Sequence, residues 1–170
     1  MKVARKTYQG PAESSRPLFA GPGFVLEPFR PEDLVAVLTL VQRSLGEEIP
    51  YAFFLQMSTL RPEYSLVARD PATRTVVGFI VGTKDAGHEG RVLAFAVDPE
   101  AQGRGVGHAL LARLQRSMLL QDVRQVHLEV RADNHRAIEF YRRHGFNVTG
   151  LEEAAYKDGA DAYRMMKPLH

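Results

Sequence analysis

At 170 residues, with 45% hydrophobic and 25% charged side chains, the chain has the length of one domain and the composition of a globular one. It contains no cysteine, which excludes disulfides, thiolate nucleophiles and thiolate metal ligands. No apolar run approaches the ~20 residues of a membrane span. Lys2, Arg5 and Lys6 are not followed by the apolar segment of a secretory signal, so a cytoplasmic protein is expected. The net charge of +2 is unevenly placed: Lys2, Arg5, Lys6 and Arg16 face only Glu13 in the first 23 residues, and the remainder is close to neutral. That balance argues against a specific nucleic-acid partner for the folded part.

Residues 1–23, rich in Pro, Gly and Ser, read as a flexible basic tail, and 24–170 as the domain. "FVLEPFR" (24–30) reads as a short strand. "PEDLVAVLTLVQRSL" (31–45) opens on Pro and two acids and spaces Leu34, Val37, Leu38, Val41 and Leu45 helically. "EEIPYAFFLQMSTL" (47–60) reads as a second, less regular helix with an early Pro50. "YSLVARD" and "TVVGFIVGTKD" are strands joined by a turn at Pro71–Arg74, and "GHEG" (87–90) turns into the strand "RVLAFAVD". After a glycine-bearing loop, Val106, Leu110, Leu111, Leu114 and Met118 mark a helix. The strand "QVHLEV" (125–130) follows, then a short helix "NHRAIEFYRRHG" (134–145) with Asn134 as N-cap and Gly145 past its end. "FNVTG" and "DAYRMMKPL" close the chain as strands. The order β-α-α-β-β-β-α-β-α-β-β predicts a mixed α/β sheet, mostly antiparallel, flanked by helices on both faces.

The stretch "AVDPEAQGRGVGHALL" (96–111) carries the chemistry. A strand, a glycine loop and a helix N-terminus bring unpaired backbone N–H groups and the positive end of a helix dipole to one point, where a phosphate would be held. A surface turn needing glycine only for its shape is the alternative. A Walker loop is excluded, because no Gly-Lys is followed by Ser or Thr. A dinucleotide fingerprint is excluded too, although Glu129 lies about twenty residues beyond the loop. Asp98 to Gln102 separate strand from glycines, and the spacing is G-x-G-x-G.

The pattern Gln102-Gly103-Arg104-Gly105-Val106-Gly107, with "FAVDPEAQ" before it and "HALL" after it, resembles the GNAT superfamily of acyl-CoA-dependent N-acetyltransferases. "LEVRADNHRAIEFYRRHGF" (128–146) and "YKDGADAYRMMKPL" (156–169) resemble RimI-like and archaeal-type protein N-terminal acetyltransferases. "GEEIPYAFF" (46–54) resembles the loop that meets the substrate's N-terminus in archaeal members. The resemblance covers residues 24–169. It implies a GNAT acyl-CoA N-acyltransferase fold and acetyl-CoA as cofactor, with no metal. The acceptor it implies is a protein or peptide α-amine, attacked directly in a ternary complex, with a ribosome or auxiliary subunit as a further partner. Acetylation of lysine side chains or small amines is the rival, and a non-catalytic acyl-CoA-binding module the alternative of another class.

Residue by residue, the loop from Gln102 through Gly103, Arg104, Gly105 and Val106 to Gly107 would cradle pyrophosphate. Phe95, Ala96 and Val97 would pair with the pantetheine arm, and Asn134 would bond it or cap its helix. Glu129 shares a strand face with His127 and Arg131 and is the first candidate for the base that deprotonates the amine; an ion pair with Arg131 is the structural alternative. Tyr141, seven residues past Asn134, would be the acid, with an ordinary phenol pKa near 10, or a core aromatic. Glu47 and adjacent Glu48 would meet the acceptor amine, Glu47 being the second candidate base; Tyr51 and Tyr156 would line the peptide groove. Arg142 and Arg143 could meet the CoA 3′-phosphate or simply be solvated. The six histidines show no metal-ligand spacing. This chain departs from its relatives in Ala155 and Ala160, where a tyrosine and a glutamate are usual, and in Arg91 where some carry histidine.

Overall fold

A computed structural model describes residues 17–45 and 49–170. Strands β1 (Phe19–Gly21), β2 (Phe24–Pro28), β3 (Ser65–Arg69), β4 (Val76–Lys84), β5 (Glu89–Val97), β6 (Gln125–Arg131), β7 (Asn147–Glu152) and β8 (Ala162–Pro168) form one sheet. Its order is β1-β2-β3-β4-β5-β6-β8-β7, and every neighbouring pair is antiparallel except β5 with β6. The α-helices are α1 (Leu34–Leu45), α2 (Tyr51–Leu60), α3 (Val106–Leu120) and α4 (His135–Arg143), with short 3-10 turns at Pro31–Asp33, Pro62–Tyr64 and Pro99–Ala101. The helix expected from Pro31 starts at Leu34 and the strand expected from Arg91 starts at Glu89, and two further boundaries have a clear physical reason. The sheet reaches back to Phe19, inside the stretch read as tail, because Phe19 and Ala20 pair with Leu26 and Val25. Helix α2 starts after Pro50, not before it, since proline fixes φ near −65° and has no N–H to continue a helix.

Strand alternation builds a core on each face. Leu66, Ala68 and Ile80 pack with Leu110, Leu114 and Met118 of α3. The intervening Val67, Phe79 and Val81 pack with Val37, Leu40 and Val41 of α1 and Phe54 of α2. Helix α3 lies close on the sheet, because a Cβ at Gly82 would stand 2.8 Å from the Met118 methyl. The helical stripe read for α1 holds at Leu34, Val37 and Val41, which are buried with Leu40.

One irregularity positions the site. Val81 pairs with Ala94 and Gly82 with Val92, so Leu93 is an extra residue in β5. Val92 accordingly faces the α3 core, whereas Ala94 and Ala96 face the α1–α2 core, which turns Phe95 and Val97 toward α3 and α4. The parallel pairing of β5 with β6 joins only Glu89–Arg91 to Gln125–His127. Beyond the bulge the strands part, and one edge of β5 has no strand partner among the described residues.

A buried ion cluster fastens the start of α1 to the sheet. The Arg69 guanidinium bonds Glu27 at 2.8 Å and also Asp33, whose residue is 7% exposed. Burial alone would raise the Glu27 carboxyl, but hydrogen bonds and charge from Arg69 and Arg74 outweigh it and hold the pKa below its ordinary value. Replacing Arg69 by Met should leave the buried Asp33 carboxylate without its guanidinium and Glu27 with Arg74 alone, and cost about 3 kcal/mol in denaturant unfolding at neutral pH. A depressed carboxylate pKa contributes stability above its unfolded value that disappears as pH falls through the folded one. The gap between wild type and R69M should therefore narrow in acid, and a gap that widened below pH ~4 would contradict this account.

Candidate functional site

A cavity of about 620 Å³ opens where β5 leaves β6. Phe95, Ala96 and Val97 line it, with Gln102, Gly103, Gly105, Val106 and Gly107 at one end and Asn134 and Tyr141 of α4 beside them. Ten of the residues read as cofactor-binding are thereby brought together. The side chain of Arg104 is the exception: it is exposed, does not line the cavity, and lies near enough to Asp70 to help lower that carboxyl's pKa, after the backbone bonds from Thr73 and Ala72.

The loop's geometry follows from its glycines. Gly103 and Gly105 have φ of 81° and 82°, a left-handed backbone that residues with a Cβ rarely adopt. Gly105 is the N-cap of α3 without a side-chain cap, and the first bond closed is Ala109 N–H to Gly105 C=O at 3.0 Å. The amides of the first turn are left to an outside acceptor, with the helix dipole behind them. Gln102 ties the loop to β5 by donating to the Val97 carbonyl at 3.3 Å, and Arg43 of α1 reaches Asp98 at 3.1 Å. Arg136, Arg143 and His108 add cationic or proton-donating groups to the cavity wall. The His108 Nδ1 and His144 Nε2 are 2.9 Å apart, and His144 Nδ1 is 2.7 Å from the Phe140 carbonyl. A carbonyl only accepts, so His144 carries its proton on Nδ1. In the neutral pair His144 Nε2 accepts and His108 Nδ1 donates.

Asn134 caps α4 from the cavity wall. Its side chain accepts from Ala137 N–H at 3.1 Å as a helix cap, and the residue also lines the cavity. Tyr141 is buried with its ring 6.2 Å from Phe95 and 5.6 Å from Phe146. Burial, and to a smaller degree Tyr156, push its phenol well above the usual value, so the pKa near 10 expected from sequence does not hold.

Glu129 does not line this cavity; it is exposed on β6, opposite Arg164 of β8. The expected alternative, an ion pair of Glu129 with Arg131, does not form. Arg131 instead holds Asp133 and Asp158, and its guanidinium lies 4.7 Å over the Tyr156 ring. Tyr51 is 56% exposed and lines a separate groove of about 320 Å³ beside α1, with Val35, Leu38 and Ile49. Glu47 and Glu48 lie outside the described residues. Arg142 does not line the cavity, whereas Arg143 does.

Several wall residues escaped the sequence reading. Ala137 and Phe140 follow Asn134 at helical spacing, so that face of α4 was legible. Ser44, at the end of α1, was not: it is about fifty residues from β5, and its enclosed Oγ has no partner among the described residues.

Residues 33–146 match the model of the acetyltransferase (GNAT) family, and the chain belongs to that family. It is 29% identical to an N-alpha-acetyltransferase of Saccharolobus solfataricus, over 88% of this chain and 95% of that one. It is 31% identical to ard1, the N-terminal acetyltransferase A complex catalytic subunit of Schizosaccharomyces pombe, over 84% of each. The crystal structure of Ard1 from Thermoplasma volcanium superposes with a TM-score of 0.82 at 35% identity, covering 88% of this chain and 99% of that one. The protein is a GNAT acetyltransferase.

The buried phenols set an alkaline limit. Burial raises the pKa of Tyr64 as well as Tyr141, with Glu63 adding to the first. Their contribution to stability is complete below the unfolded value near 10 and is lost as pH climbs past it. Denaturant titrations between about pH 9 and 11.5 should show a smaller loss for Tyr141→Phe than for wild type. An identical loss in both would mean that Tyr141 ionises freely.

Proposed function

We propose that the protein transfers an acetyl group from acetyl-CoA to the α-amine of a polypeptide, by direct attack with both substrates bound. The single observation that carries the reading is the cavity where β5 parts from β6, with unpaired first-turn amides at one end and Tyr141 in its wall. The fit to acetyl-CoA is chemical. Diphosphate suits the α3 N-terminus and its cationic wall, and an amide-bearing chain suits the free backbone edge of Phe95–Val97. When bound, acetyl-CoA supplies an activated thioester.

The chain's own residues do the rest. Glu129 takes the amine's proton, directly or through a water, which its exposure allows. Tyr141, held neutral, donates a hydrogen bond where negative charge develops. Asn134 orients the pantetheine arm, and the Gln102–Gly107 loop holds the phosphates by backbone. No covalent nucleophile is required, in keeping with a chain that has no cysteine. The names of the S. solfataricus and S. pombe relatives support the α-amine as acceptor. The catalytic-subunit status of the second supports an auxiliary partner. Glu47 and Glu48 are proposed at the acceptor's entrance and Tyr156 at its wall, and the reaction is placed in the cytoplasm.

Turnover of acetyl-CoA should be followed over peptides with free N-termini, the same peptides N-blocked with an internal lysine, and polyamines. Turnover confined to free N-termini is the expected result; blocked lysine peptides or polyamines as better acceptors would overturn it. Glu129→Gln should lower kcat by about two to four orders of magnitude with the KM for acetyl-CoA nearly unchanged. Gly105→Ala should act at the other end. Its Cβ would meet open space, so the loss is conformational, and CoA affinity by calorimetry should fall about tenfold.

A further inference from the structure

We infer that Arg131 is a positioning residue, clamping the loop Glu153–Asp161 against the end of β6 and so fixing the wall that receives the acceptor. The inference rests on the acetyltransferase reading given above. The geometry is a double fork. Arg131 Nε and Nη2 bond the two oxygens of Asp133 at 3.1 and 3.0 Å, and Nη1 and Nη2 bond those of Asp158 at 3.2 and 2.7 Å. Only 25% of the Arg131 side chain is exposed, while both carboxylates are more than half exposed, so the guanidinium is the fixed hub.

The loop it holds is a tight turn. Gly159 N–H donates to the Tyr156 carbonyl at 2.9 Å, Tyr156 N–H donates to the Ala160 carbonyl at 3.1 Å, and Gly159 has φ of 83°. On the far side the backbone is already tied, with Ala132 N–H bonded to the Asp161 carbonyl at 2.8 Å. The tip, Lys157–Asp158, is joined to β6 through the Asp158 carboxylate and through the stacking of Arg131 on Tyr156. Arg131 shares its strand face with Glu129, two residues away, and Tyr156 is close enough to raise the Tyr141 phenol. Base candidate, clamp, loop aromatic and buried phenol therefore follow one another across the acceptor side. A single exposed ion pair contributes little, but two bidentate pairs on one guanidinium set direction as well as distance, which a lysine ammonium does not.

The test pairs a structural with a kinetic readout on R131Q, R131K and D158N. Native-state trypsin digestion, followed by mass spectrometry at the Lys157–Asp158 bond, reads the clamp without reference to activity. Cleavage there should speed up about tenfold in R131Q and D158N, since a released loop tip exposes its backbone. In parallel, the acceptor KM should rise about tenfold in R131K and R131Q, while the acetyl-CoA KM and CoA affinity stay within about twofold. Unchanged cleavage overturns the clamp whatever the acceptor proves to be. Faster cleavage with an unchanged acceptor KM overturns the positioning role and leaves a purely structural tie. Failure of the wild type to turn over any free N-terminus overturns the proposed function instead, and the digestion still decides the clamp.

Discussion

The separation of β5 from β6 after a single inserted residue is the constraint on which the site depends. Parallel strands keep their bonds only while their pleats stay in step. The extra Leu93 puts the far half of β5 out of step with β6 while β4 continues to pair with it. Two consequences follow from the same residue. The N–H and C=O groups on one edge of β5 are left for something other than a strand. The side chains beyond the bulge exchange faces, so Phe95 points to α4 and stacks near Phe140 and Tyr141. Were the strand regular, Phe95 and Val97 would enter the α1–α2 core, and the cavity would lose its aromatic wall.

Charge is then distributed along the gap according to what each end must stabilise. At the α3 end, unpaired amides and the helix dipole face the cavity, whose wall also carries Arg136 and Arg143 of α4. Along α4 the wall is mixed: Asn134, Arg136 and Arg143 bring polar and cationic groups, and Ala137, Phe140 and Tyr141 an apolar stretch whose phenol is held neutral by burial.

Much of the fold was legible because its signals are periodic or punctuated. The stripe from Val106 to Met118 and the Asn134–Gly145 bracket located α3 and α4, and the glycine loop located the end of the cavity that faces the α3 N-terminus. The bulge was not legible, since "RVLAFAVD" carries no turn residue and Leu93 differs from its neighbours only in how β4 pairs with it. Arg131 shows a second limit. Its short-range partner Asp133 lies two residues away, but Asp158 is 27 residues on and meets it only because β8 returns beside β6. Spacing along a strand named Glu129 and Arg131 as neighbours on one face, and three-dimensional competition decided that the aspartates, not Glu129, hold the arginine. Ser44 reaches the cavity through the packing of α1, which no local pattern encodes.

That competition bears on the chemistry. A carboxylate bound to Arg131 is held in its charged form, as Asp133 and Asp158 are, whereas Glu129 has no ion pair among the described residues. Tyr141 has the opposite setting. A thiol has an ordinary pKa near 8.5, and a phenol raised above 10 gives up its proton to such a thiolate only uphill. In the proposed reaction its use would therefore be that of a fixed hydrogen-bond donor, which the desolvation that weakens it as an acid would strengthen, because a dipole in a low-dielectric wall is little screened. The two groups differ in environment: the Glu129 carboxylate is left to water and the Tyr141 hydroxyl is kept from it.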